Sequence, residues 1–186
     1  MIITNPIAPF EDAVIIYPSV HYDIRGYFIE SYDSIHYGKS LKFVQDNVSI
    51  SKNNVLRGIH GNYTTWKLIQ CVKGIIYFVI IDLNPKSITY KQHAEFWLGD
   101  NYFDVFDELK RNEFPFIQFL IPPYFGVGTY TTSEESILLY KQSKHFNKKD
   151  QFTIKWNDEK ISKLFWPVTN PILSERDTIG PFLDLQ

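Results

Sequence analysis

The chain has 186 residues, 44% hydrophobic and 22% charged, a balance that supports a buried core and excludes general disorder. Its net charge of −2 argues against a nucleic-acid partner. With Cys71 as the one cysteine, neither an internal disulfide nor a cysteine-based metal cluster can form.

Length and the absence of repeats or linker-like tracts predict one domain over residues 1–186. Met1 is followed by no basic, apolar leader, and the longest apolar run, Ile75 to Ile81, is far too short for a membrane helix. The expectation is a cytoplasmic protein without a membrane partner. Aromatic residues reach 17%, and aromatic and β-branched side chains suit pleated, half-buried surfaces.

In chain order, strands are predicted at Ala13–Tyr17, Gly26–Ser31, Val55–Ile59, Leu68–Val72, Ile75–Ile81 and Ala94–Leu98. Further strands are predicted at Phe116–Ile121, Gly128–Thr132, Ile137–Lys141 and Phe152–Trp156. Tyr102–Lys110 and Glu159–Leu164 read as short helices. Many short strands punctuated by Gly, Pro, Asn and Asp indicate an all-β jelly-roll sandwich or barrel with a few short helices.

Unusual residues concentrate in Val55-Leu56-Arg57-Gly58-Ile59-His60 and continue to Lys67. In a regular strand Arg57 and Ile59 would share one face and His60 the other. Gly58 would permit a close backbone approach or a bulge that re-aims its neighbours. A hydrogen-bonded barrel histidine is the plain reading of His60, but Arg57 and Lys67 beside it point to an anionic ligand. Metal binding is the rival. The cupin metal pattern places two histidines one residue apart, then a carboxylate. Here Asn62 stands at the second histidine and Lys67 near the carboxylate, and Val127 occupies a later ligand position. A protonated ammonium cannot ligate a metal, so no metal is expected.

Longer blocks then carry a family resemblance. Asp23-Ile24-Arg25-Gly26-Tyr27-Phe28-Ile29-Glu30, Phe43-Val44-Gln45-Asp46-Asn47 and Asn54 to His60 resemble the dTDP-4-dehydrorhamnose 3,5-epimerase family, of cupin fold. So do Ile121-Pro122, Tyr140-Lys141, Trp156 to Glu159 and Leu173 to Asp177, all in the family's order. The short His60-to-Lys67 segment, Asp150 to Thr153 and Asn170 to Asp177 resemble most closely a branch acting on GDP-4-keto-heptoses for capsular polysaccharide.

The resemblance implies a homodimeric, cofactor-free enzyme acting on a 4-keto nucleotide sugar. It removes a proton beside the ketone and returns one to the opposite face, at C3 and possibly C5. It assigns His60 as general base, a residue type able to hold a neutral imidazole near neutral pH. Asp177 orients the histidine, Tyr140 donates the proton from the other face, and Lys67 offsets charge on the enolate oxygen. Arg25 and Arg57 match contacts to the diphosphate, and Phe28, Glu30, Gln45 and Asn47 match other pocket positions. His145 stands where a tyrosine packs on thymine, and Val127 where a histidine meets the sugar. Without the resemblance, Phe28 reads equally as core, Glu30 as an ion-pair partner of Arg25, and Tyr140 as a packing residue. Asn101 to Pro115 reads as an insertion. The alternatives are a C3-only epimerase or ketoisomerase on a dTDP-4-keto-6-deoxyhexose, and a non-catalytic sugar-binding cupin.

Overall fold

The computed structural model describes residues 3–35, 37, 41–99, 102–103, 116–161 and 166–183. Two six-stranded sheets face one another. The first runs β1 (Ile3–Pro6), β2 (Val14–Tyr17), β11 (Gln118–Ile121), β7 (Lys67–Lys73), β13 (Glu135–Gln142), β5 (Gln45–Lys52). The second runs β10 (Tyr102–Phe103), β9 (His93–Gly99), β8 (Ile75–Asp82), β12 (Phe125–Thr131), β6 (Leu56–Asn62), β14 (Gln151–Thr153). β3 (Val20–Asp23) and β4 (Gly26–Ile29) form a separate hairpin. From β5 to β8 successive strands alternate between the sheets, which is the winding of the expected jelly roll.

Each predicted strand is present, with shifts of a few residues at the ends. Of Tyr102–Lys110, Tyr102–Phe103 is strand rather than helix, and the remainder lies outside the described residues, as does most of the Asn101–Pro115 insertion. Glu159 and Lys160 form a turn, while 162–164 also lie outside. A one-turn helix that no periodicity announced, α1 (Glu175–Ile179), follows the Ser174 cap. No helix among the described residues is long and apolar enough to cross a membrane.

β8 shows why the sandwich holds. Ile76, Phe78 and Ile80 enter the core between the sheets, where Phe78 meets Phe119 with ring centroids 4.7 Å apart. Tyr77, Val79 and Ile81 face the other way, against Trp166, Ile161 and Leu183 of the C-terminal segment. With both faces covered, the strand reads as a continuous apolar run rather than an alternation. Burying each large apolar side chain contributes about 1.5–3 kcal/mol.

Candidate active site

One end of the sandwich opens into a cleft of about 330 Å³. Its second-sheet wall is β6, carrying Arg57 and His60, and its first-sheet wall is β7, β13 and β5, carrying Lys67, Tyr140, Gln45 and Asn47. α1 closes it with Asp177.

The expected parity of β6 is wrong. Arg57 and His60 both line the cleft, whereas Ile59 is fully buried in the cluster behind the second sheet. Pairing with β12 slips here: Val127 opposes His60 and Thr129 opposes Arg57, so Gly58 and Ile59 together face Gly128. Such a bulge bends the strand and re-aims its side chains. Only glycine fits at position 58. Its φ is +129°, and a Cβ there would lie 2.6 Å from Gly128 Cα and 2.8 Å from the Val127 carbonyl oxygen.

His60 Nε2 lies 2.5 Å from Asp177 Oδ1. Asp177 is buried, with 2% exposure, and Ser174 Oγ donates to its Oδ2 at 2.7 Å. Burial alone would raise its pKa, but hydrogen bonds from His60, Ser174 and the Gly58 N–H, with the charge of His60, hold it below the ordinary carboxylate value. An ionised carboxylate only accepts, so His60 carries its proton on Nε2 and leaves Nδ1 as the basic nitrogen.

Lys67 is pulled down to about 8, chiefly by burial and then by the charge of Arg176, against an opposing effect of Asp150. Tyr140 is raised by burial, offset by the nearby Arg57 charge, so its phenol stays protonated at neutral pH. Arg57 is fixed across the end of the sandwich, donating from Nε to Ser51 Oγ at 2.8 Å and from Nη2 to the Ile50 carbonyl at 3.0 Å. Gln45 donates to Asn47 Oδ1 at 2.8 Å, ordering the amide wall on β5. Arg57, Lys67 and Arg176 against Asp177 leave the cleft suited to an anionic ligand.

The structure thus gathers His60, Lys67, Tyr140, Asp177, Arg57, Gln45 and Asn47. It does not bring in Arg25, Phe28 or Glu30, which lie on or beside the β3–β4 hairpin, outside the lining of this chain's cleft. Arg25 pairs with Asp23, and Phe28 is 68% exposed rather than core. His145 is exposed and also outside the lining. Its neighbour Phe146 lines the cleft instead, drawn in by its N–H donating to Gln45 Oε1 at 2.7 Å. Val127, at the expected position, borders the cleft. Sequence reasoning missed Ser174, although Ser174-x-x-Asp177 is a capping signature. It also missed Arg176, which lines both this cleft and an adjoining outer cavity with Phe146, Lys148 and Gln151. Among the described residues no group of three or more His, Cys, Asp or Glu side chains could hold a metal ion.

The family profile described as dTDP-4-dehydrorhamnose 3,5-epimerase matches residues 8–184. The enzyme of that name from Salmonella typhimurium is 38% identical over 181 residues, covering 93% of this chain and 91% of its own. That from Escherichia coli is 34% identical over 175 residues, covering 90% and 87%. The crystal structure of the Bacillus anthracis dTDP-4-dehydrorhamnose 3,5-epimerase, with TDP and PPi bound, matches at a TM-score of 0.83 and 32% identity, covering 98% of this chain and 99% of that one. The Legionella pneumophila enzyme in complex with dTDP-4-keto-L-rhamnose matches at 0.85 and 27% identity, covering 100% and 94%. The chain belongs to the dTDP-4-dehydrorhamnose 3,5-epimerase family and is a carbohydrate epimerase.

Proposed function

We propose that this chain, acting as one domain without a metal or cofactor, inverts C3 and C5 of a 4-keto-6-deoxyhexose carried on dTDP. The observation that carries the chemistry is the His60–Asp177 pair facing Tyr140 across a cleft that also holds Lys67. His60 Nδ1 takes the proton from the carbon beside the ketone, and Asp177 stabilises the resulting imidazolium. The electrons move into the carbonyl, and the Lys67 ammonium offsets the enolate charge. Tyr140, on the opposite wall, delivers a proton to the other face. Arg57 holds the diphosphate, and Phe146 offers a ring to the base at the mouth of the cleft.

The nucleotide assignment follows the relatives named above, whose sugars are dTDP-linked; the expected GDP-heptose branch has no support from them. A second reading, a GDP-linked 4-keto-heptose, rests on Val127 and the short 61–66 segment, which leave room beside the sugar. A homodimer, cytoplasmic like its substrate, would use the hairpin. The apolar side chains Ile24, Tyr27 and Phe28 are exposed on it, and Val48 and Ile50 are exposed on the outer face of edge strand β5. A second copy covering these would bring Arg25, Phe28 and Glu30 to a neighbouring cleft.

Incubation in heavy water with dTDP- and GDP-linked 4-keto sugars tests the reading. Deuterium enters C3 and C5 of the dTDP sugar with unchanged rate after exhaustive chelation. Label at C3 alone refutes the double inversion, faster turnover of the GDP sugar refutes the nucleotide assignment, and no exchange refutes the enolate.

A further inference from the structure

Lys67 is half-buried, yet its ammonium makes no ion pair or hydrogen bond to a described residue. What places it is the short 63–66 link between β6 and β7, because Lys67 is the first residue of β7. That link is tied down from outside. Thr64 Oγ1 donates to Asp150 Oδ1 and Thr65 Oγ1 to Asp150 Oδ2, each at 2.9 Å. The Tyr63 N–H reaches the Asp150 carbonyl at 3.0 Å, and the Trp66 N–H reaches Ser143 Oγ at 2.9 Å. Both oxygens of one carboxylate are therefore spent on two adjacent hydroxyls, a two-point grip on the link.

The charges around Lys67 point to the same residue. The cleft presents Arg57 and Arg176 as cations, His60 and Tyr140 as titratable groups, and Asp177, whose carboxylate is engaged by His60 and Ser174. Arg176 acts against the ammonium, and Asp150 is the carboxylate that acts for it.

We infer that Asp150 is a positioning residue for Lys67: it grips the Thr64–Thr65 link that delivers the ammonium to the cleft and supplies anionic charge to its surroundings. The catalytic consequence rests on the proposed role of Lys67 at the enolate. The coupling itself does not, and the two can be tested apart.

The test is an NMR titration of the Lys67 side chain in the free protein, with the signal assigned by its loss in Lys67→Met. Asp150→Asn moves the titration to lower pH than in the wild type. The alkaline limb of kcat/KM moves with it, since a deprotonated Lys67 no longer offsets the enolate. The double variant Thr64→Val, Thr65→Val keeps the charge and loosens the grip. Its limb stays near the wild-type position while kcat falls by up to about 10²-fold, the scale of a 1 Å misplacement. An unmoved Lys67 titration in Asp150→Asn, or full activity in the double valine variant, overturns the inference. A wild-type protein that epimerises nothing overturns the functional reading instead, and leaves the titration to decide the coupling.

Discussion

His60 Nε2 and Asp177 Oδ1 lie 2.5 Å apart although 117 residues separate them in the chain. With His60 as the proposed base, His60→Asn should lower both solvent exchange and epimerisation by about 10²–10⁴-fold. Asp177→Asn keeps the shape, but an amide can also donate and no longer fixes the proton on Nε2. A comparable fall in kcat with an intact fold is expected. Wild-type exchange rates in His60→Asn would rule out the assignment.

Tyr140 stands on the other wall and should act after the enolate forms. Tyr140→Phe retains deuterium exchange into the starting sugar, because His60 still removes and returns a proton on its own face. Inverted product falls sharply. Proton NMR of the sugar in heavy water reads both quantities, and undiminished inversion would exclude the phenol as donor.

Lys67 makes activity and stability oppose each other. Its folded-state value of about 8 lies below the ordinary 10.5, so between these pH values the unfolded chain binds more protons. Stability therefore rises with pH across that window, and below it the full cost of the buried charge is present. Lys67→Met, of similar length and uncharged, should be more stable than wild type by up to about 3 kcal/mol at pH 7. That advantage should shrink between pH 8 and 10.5, while activity is lost at every pH. Urea unfolding at pH 7 and pH 10 measures it, and a variant less stable at pH 7 would contradict it.

The hairpin predicts complementation between inactive variants. Arg25→Ala with Glu30→Ala should lower activity, and mixing that protein with His60→Asn should restore part of it. In the proposed homodimer, a mixed pair would contain one cleft with an intact His60 and an intact neighbouring hairpin. Absence of recovery after exchange, shown by mass-tagged subunits, would mean that the hairpin serves its own chain or none.

The strands rich in aromatic and β-branched residues were legible because they build the core. β5 was not, although Gln45 and Asn47 were recognised as pocket residues. Its pattern is inverted: Gln45, Asn47 and Ser49 line the cleft, while Val48 and Ile50 are exposed. A strand whose inward face binds ligand fails the rule that identifies strands by their buried apolar face. Arg57 and His60 were found by residue type, but their common direction depends on a bulge that local pattern does not fix. Phe146 was missed by one residue because the resemblance placed the ring at His145, in the loop after β13 ends at Gln142, where no strand period fixes side-chain direction.

The crossing at Gly58 limits how this site can be re-engineered. Any side chain there would collide with backbone on β12, and backbone cannot swing aside as a side chain can. Residues 57–60 thus form a rigid datum from which both the guanidinium and the imidazole are aimed. Selection for a bulkier or differently substituted sugar will find little tolerance along that segment. The adaptable wall is the opposite one, where Ser49 on β5 and Leu138 on β13 line the cleft. Libraries confined to those positions would change the shape of the pocket while leaving the proton-transfer axis in place.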